Sequence, residues 1–254
     1  MKIAITGHAS ISPLGTNPKE IKDSIYNNKS CISWNGEAMV AALNVKEAKL
    51  LKEIREHKSY KSLDKTVIMA IQVARQLKLS ILSKTAVNIG SSRGATEVWE
   101  NHIKDFENHP TGKVSAFASP HTTLGNISSW VAQDLGSTGL SFSHSITCST
   151  ALHSIANAVA WLESGMANSF IAGGSEAPLT PFTIAQMKAT GIYSSFRDDL
   201  PCKPLNGEQN TMVLGEAAAL FHLEKENEAK AYIKGIGFAT ENINHAAGIS
   251  SQGE

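Results

Sequence analysis

An α/β fold with a largely parallel sheet is what the sequence predicts, and three observations predict it. Short apolar runs at 2–6, 85–89, 140–146 and 169–172 have the length of strands and end in glycine or small polar residues. Segments with helical spacing of apolar residues follow them, so that strand feeds helix along the chain. No internal repeat or low-complexity tract interrupts the alternation.

Lys2 to Thr6 reads as a strand ending at Gly7, and Asn17-Pro18 opens a helix with proline at its first position and Ile21 and Ile25 on one face. From Glu37 to Leu79 the pattern is helical and crowded with Lys and Glu, a solvated face, with a more apolar helix at Lys65 to Leu77. Thr85 to Ile89 is a strand that runs through GSSRGATE into a helix at Ala95 to Phe106. Ser119 to Leu135 places Leu124, Ile127, Val131 and Leu135 on one helical face, and Gly136 is set to end it. A strand at Leu140 to Ile146 follows, then a helix carrying Leu152, Ile155, Val159 and Leu162, closed by Gly165.

Ser169 to Ala172 is a short strand stopped by Gly173-Gly174, and Pro181 to Lys188 is helical. Residues 191 to 212, with Pro201 and Pro204, form a polar excursion over the surface. Residues 213–214 and 217–223 give one strand and Ala231 to Ala239 another. Their closeness in sequence makes them the natural antiparallel pair. The last residues, 242–254, read as a loop.

The segment HSITCSTALHSI sets Cys148 at a turn from strand to helix. Unsatisfied N–H groups and the positive end of the helix macrodipole favour a thiolate there and can hold an oxyanion, which suits a nucleophile. The bland alternative is a small buried hydrophobe. His144 and His153 flank the cysteine, but neither spacing aims an imidazole at the sulfur, and packing or polar-network roles are expected for both. Gly215 fits a close backbone approach, and Glu216 fits a carboxylate satisfying buried donors.

Composition excludes several classes. Lys plus Arg and Asp plus Glu both number 23 in 254 residues, so no net field recruits nucleic acid or an acidic membrane surface. The longest apolar runs fall short of the roughly 18 residues that suggest a membrane span. Cys31, Cys148 and Cys202 are widely spaced, with no pattern for zinc or a disulfide framework, as expected of free thiols in a cytoplasmic protein. GIG at 235–237 lies within a strand, and GSSRG lacks the Lys-Ser/Thr of a phosphate loop, so neither a nucleotide nor another cofactor is expected.

Four features taken in order, IAITGHASISPLG, SITCSTALHSI, IAGGSEAPLTPF and KPLNGEQNTMVLGEAAALFHLE, resemble the first half of a β-ketoacyl-acyl-carrier-protein synthase, the condensing enzyme of fatty acid and polyketide synthesis. The SPHTTLGNISSW segment also suits that family. The resemblance implies a thiolase-like layered fold, of which this chain holds the first half, with a mixed, mostly parallel five-stranded sheet flanked by helices. It implies that Cys148 is the catalytic nucleophile, taking an acyl group from an acyl carrier protein as a thioester before decarboxylative condensation with a malonyl thioester. It further implies a homodimer, or a heterodimer with a second synthase-like chain.

Two departures qualify the resemblance. Residues 1–254 are expected to form the N-terminal domain alone, because the family's two catalytic histidines, its lysine and its second oxyanion donor belong to a second half. A piece of a longer synthase is expected rather than a natural half-length protein, since halving such a fold bares an apolar face. Thr147 stands where the family usually has Ala, and NGEQNTM, with Asn206, Gln209, Asn210 and Thr211, replaces an Asp-Arg-Asp-Gly-like run. The competing expectation is a non-catalytic partner subunit resembling a chain-length factor, against which the presence of Cys148 counts. A relative using coenzyme A substrates suits GGSEAP and VLGEAAA less well.

Overall fold

The computed structural model describes residues 2–77, 79, 83–225 and 228–239; the terminal loop expected at 242–254 lies outside them. In chain order the elements are β1 (Ile3–Ile11), α1 (Pro18–Tyr26), β2 (Ser33–Trp34), β3 (Met39–Ala41), α2 (Val45–Arg55), α3 (Lys65–Gln76), β4 (Ala86–Gly90), α4 (Thr96–Asn108), α5 (Ala118–Thr122) and α6 (Asn126–Asp134). They continue with β5 (Ser141–Phe142), α7 (Thr150–Glu163), β6 (Ser169–Glu176), α8 (Pro181–Ala189), β7 (Leu214–Gly215), β8 (Ala217–Lys225) and β9 (Ala231–Ile233). Side-chain caps start several helices where the sequence places them. Asn17 accepts from the N–H groups of Lys19 and Glu20, Asp64 from that of Thr66, and Thr180 from that of Thr183.

The α/β class holds, with a mixed sheet between helices. Among the described residues six strands form it rather than five, in the order β5-β4-β6-β8-β1-β9, and β2, β3 and β7 make a small second sheet. β4 pairs parallel with both β5 and β6, whereas β6–β8, β8–β1 and β1–β9 are antiparallel, so the described ladders are not mostly parallel. β8 and β9 do not pair with each other, because β1 lies between them and bonds to both. Proximity in sequence lost here to a strand from the other end of the chain.

The sheet is the middle of three layers. On one face α3 packs with α6 against Val87, Ile89, Ile171 and Leu220; on the other α7 brings Val159 and Leu162 onto Ala86, Phe170, Ala172 and Leu223. Alternate residues of β4 and β6 therefore serve opposite cores. β1 serves both with residues of one parity, since Ile3 and Ile5 face α7 while Ala9 and Ile11 face α3. The register shift between Ile5 and Gly7 explains this: one extra residue turns the following side chains over. Gly7 thus marks a bulge inside a nine-residue strand, not its end.

Other boundaries also moved. The helix expected at 119–135 is two, α5 and α6, divided where Thr123 goes extended and Gly125 follows. β5 stops at Phe142, and beyond it the Ser143 hydroxyl meets the Ser128 hydroxyl at 2.6 Å and the Ser145 hydroxyl donates to the Ser92 main-chain carbonyl at 3.1 Å. β6 runs through Gly173-Gly174, which pair with Leu220 and Ala219 on β8 and with Ile89 and Gly90 on β4. On α7, Val159 and Leu162 are buried as expected, but Leu152 is 71% exposed.

Two predictions follow from the sheet. A Cβ on Gly173 would lie 2.1 Å from the Ala219 carbonyl oxygen, so Gly173→Ala forces β6 and β8 apart. Urea denaturation is expected to show a loss of about 3 kcal/mol or more. At the bulge, His222 is buried, with Nδ1 2.6 Å from the Thr6 hydroxyl, and burial pushes its pKa below 6.5 despite Glu224 nearby. An imidazole that resists protonation when folded contributes stability above pH 6.5 and loses it as pH falls through the folded value. His222→Asn should therefore lose less stability than the wild type between pH 7.5 and 5.5, measured by denaturation at each pH.

Candidate active site

Cys148 lies in the connection from β5 to α7, two residues before the helix begins, and its side chain is exposed. The turn that presents it is held by its neighbours. Thr147 has φ 47°, a left-handed conformation that costs a β-branched residue about 1–3 kcal/mol. The Thr150 hydroxyl donates to the Thr147 carbonyl at 2.6 Å and accepts from the Ile146 N–H at 2.8 Å, while the Ser149 hydroxyl donates to the Ile146 carbonyl at 3.2 Å. Ser149 is the N-cap residue of α7, yet its hydroxyl bonds backwards and makes no cap to the helix. No side-chain cap therefore takes the first-turn N–H groups; that of Thr150 donates to the Thr147 carbonyl at 3.3 Å, and those after it stand at the cysteine end of the helix, where charge developing on an oxygen would be stabilised.

Two glycines let α7 come this close to the sheet. A Cβ on Gly90 would meet the Thr150 methyl at 2.3 Å, and one on Gly174 would meet the Ala151 Cβ at 2.7 Å. These glycines face each other across the β4–β6 ladder. Inside the helix Ser154 completes the attachment: its hydroxyl donates to the Gly173 carbonyl at 2.6 Å and accepts from the Gly173 N–H at 2.9 Å. From β4, Asn88 donates to the Ser154 carbonyl at 3.2 Å. Gly173-Gly174 is thus backbone scaffold beneath the cysteine, in a strand that it does not end.

The wall beside Cys148 is the loop after β4. Glu176, at the end of β6, accepts from the Ser92 N–H at 2.6 Å, the Ser91 hydroxyl at 3.1 Å and the Arg93 N–H at 3.2 Å. Burial pushes its carboxyl above the usual range, and these donors pull it back. The Arg93 guanidinium in turn donates to Gln186 on α8. A carboxylate from one strand end thereby sets the backbone at the end of its parallel neighbour.

These elements enclose a cleft of about 560 Å³ at the carboxyl ends of the parallel strands. Cys148 opens into it together with Leu152, Ile155, Met187, Met212, Leu214 and Phe221. The surroundings are largely aliphatic and thioether, suited to an acyl chain, with the Ser91–Arg93 loop and Glu176 supplying the polar wall.

The flanking histidines do not serve the sulfur. His153 lies with Nδ1 3.1 Å from the Ser149 carbonyl, and the two ring nitrogens of His144 are buried without a hydrogen-bond partner among the described residues. Burial, then the nearby His153, pushes the His144 pKa below the ordinary imidazole value, against an opposing pull from the Thr150 backbone. Glu216 holds buried donors as expected, accepting from Lys65 Nζ at 2.5 Å and the Leu43 N–H at 2.8 Å. Cys31 and Cys202 are free and half-buried. Sequence reasoning missed Thr150, Ser154 and Glu176 as the residues that build the site. A serine inside the apolar face of α7 was the available signal, since a buried hydroxyl needs partners.

Residues 1–229 match the family model for the beta-ketoacyl synthase N-terminal domain. The chain is similar to 3-oxoacyl-(acyl-carrier-protein) synthase 2 of Staphylococcus aureus, at 27% identity over 274 residues, covering 100% of this chain and 66% of that protein. Among solved structures, a beta-ketoacyl synthase from Burkholderia phymatum superposes with a TM-score of 0.71 at 19% identity, covering 88% of this chain and 59% of that one. A type II polyketide-synthase acyl-carrier protein in complex with its ketosynthase bound to the hexaketide gives 0.70 at 19% identity, covering 89% and 58%. The chain thus spans just under two thirds of the curated relative's length and shares the thiolase-like ketosynthase fold. No described helix is long and apolar enough to cross a membrane. With the fold, the cysteine elbow and the family match in agreement, the chain belongs to the beta-ketoacyl synthase family, through its N-terminal domain.

Proposed function

We propose that this chain is the acyl-accepting part of a β-ketoacyl-acyl-carrier-protein synthase in fatty acid or polyketide synthesis, with Cys148 as the nucleophile. The observation that carries it is the exposed Cys148 sulfur at the start of α7, opening into an apolar cleft. The Cys148 thiolate attacks the carbonyl carbon of an acyl thioester on the carrier protein. The resulting oxyanion collapses, the carrier's sulfur leaves and takes up a proton, and the acyl group remains on Cys148 as a thioester. Backbone N–H groups at the head of α7 are placed to stabilise that oxyanion.

Condensation then needs a carbanion from a malonyl thioester. In this proposal the histidines that generate it lie outside residues 1–254, which form the N-terminal domain of the synthase. Leu152 and Phe238, 71% and 69% exposed, mark an apolar surface beside the cleft that a second half would cover. The same proposal carries a homodimer, or a heterodimer with another synthase-like chain, and a cytoplasmic location beside the acyl carrier protein.

Incubation with acyl carrier proteins loaded with short, medium and long chains, followed by mass analysis of the peptides, tests this. One acyl group is expected on Cys148, lost in Cys148→Ala and blocked by prior alkylation. No adduct with any chain length sinks the proposal, and condensing activity that survives Cys148→Ala points to a partner subunit instead.

A further inference from the structure

Resting on Cys148 as the acyl acceptor, we propose that Thr150 is the positioning residue of the nucleophile, its hydroxyl holding Thr147 in the left-handed conformation that turns Cys148 into the cleft. Its two hydrogen bonds span the strained residue: the Ile146 N–H lies before it and the carbonyl accepting the Thr150 proton is its own. The main-chain N–H of Thr150 adds a longer bond to the same carbonyl, at 3.3 Å. One residue therefore fixes the backbone on both sides of Thr147, where φ is 47°.

Thr150 is suited to this because it cannot move. It is 3% exposed, and its methyl group occupies the space that a side chain on Gly90 would take. The methyl and the hydroxyl are set by the same χ1, so the packing against Gly90 aims the hydroxyl at Ile146 and Thr147. Thr150 lies outside the chemistry itself, as neither of its bonds is to the sulfur. Valine has the same shape without the hydroxyl, and it leaves the Ile146 N–H without its acceptor and the left-handed turn without its tie.

The test compares two electrophiles, chloroacetamide and N-decyl chloroacetamide, on the whole purified chain. Labelling of the Cys148 peptide is measured by mass at a pH high enough that the rate no longer rises with thiol ionisation. The small reagent reports exposure of the sulfur, and the ratio of the decyl rate to the small-reagent rate reports its presentation to the apolar cleft. Thr150→Val is expected to lower that ratio about tenfold, whereas Thr150→Ser, which keeps the hydroxyl, stays within about threefold of wild type. Glycine adopts a left-handed conformation without strain, so Thr147→Gly should remove most of the effect of Thr150→Val when the two are combined.

An unchanged ratio in Thr150→Val overturns the proposal. So does an equal loss in Thr150→Ser, or an effect of Thr150→Val that is the same with and without Thr147→Gly, since either result assigns the role to packing alone. If Thr150→Val does not fold, as read by circular dichroism, the decision falls to Thr150→Ser and to Thr150→Ala on the Thr147→Gly background. Labelling requires no carrier protein. A chain that takes no acyl group but shows this pattern loses the proposed function and keeps Thr150 as the residue that positions its cysteine.

Discussion

Between Gly90 and Gly174 on the sheet and Thr150 and Ala151 on α7 there is no room for a methyl group. Would-be Cβ atoms on the two glycines come within 2.3 and 2.7 Å of those side chains, so the helix start rests almost on the backbone of β4 and β6. The position of Cys148 depends on this contact. A helix one side chain farther out would carry the sulfur away from the strand ends, and would separate Ser154 from Gly173 and Asn88, whose bonds exist only at the present distance. Buried hydroxyl and amide groups on an otherwise apolar helix face are costly unless paired, so the polar ties and the glycines require each other.

The α/β class and the seat of Cys148 were legible because both rest on local patterns: strand-length apolar runs, helical spacing, and a turn of small residues between them. The pairing of β1 between β8 and β9 was not, since it joins residues more than 200 positions apart and no spacing announces it. Gly7 and Gly173-Gly174 misled in the same way. Glycine weakens a strand in isolation, and only the neighbours show whether it ends the strand, bulges it, or admits another backbone. Beyond the end of β5 the hydroxyls of Ser143 and Ser145 bond to α6 and to the loop after β4, contacts that no local spacing announces. The part of the site that sequence reasoning did not find is its tertiary part: Glu176 reaching across to residues 91–93, and Thr150 bonding to both sides of Thr147.

The elbow combines an unfavourable conformation with tight support. Thr147 in the left-handed region is strained, and a residue so placed persists only where its surroundings leave no alternative. Here the support comes from the helix that the elbow introduces, because Ser149, at the N-cap position, and Thr150, the first helical residue, spend their hydroxyls on residues 146 and 147. The helix gives up a cap in the process, a loss of about 1 kcal/mol in ordinary helices. What is gained is a first turn whose N–H groups take no side-chain cap, the Thr150 N–H going to the Thr147 carbonyl at 3.3 Å, so the same two hydroxyls hold the turn that carries Cys148.

The division between supported backbone and open side chain separates two kinds of chemistry. In the proposed function, transfer of an acyl group to a thiol needs an accessible sulfur, donors for one oxyanion and space for the chain, and the β5–α7 elbow offers an exposed cysteine, a helix start and an apolar cleft for them. Decarboxylation of a malonyl unit needs more: a group that activates it and donors for an enolate, placed opposite the thioester. Among the described residues no hydrogen bond joins His144 or His153 to Cys148, and the His153 ring packs 5.4 Å from that of Phe238. Leu152 stands exposed at the start of α7 and lines the same cleft as Cys148, and in the proposed function the second set of groups would act from an element packed over that surface.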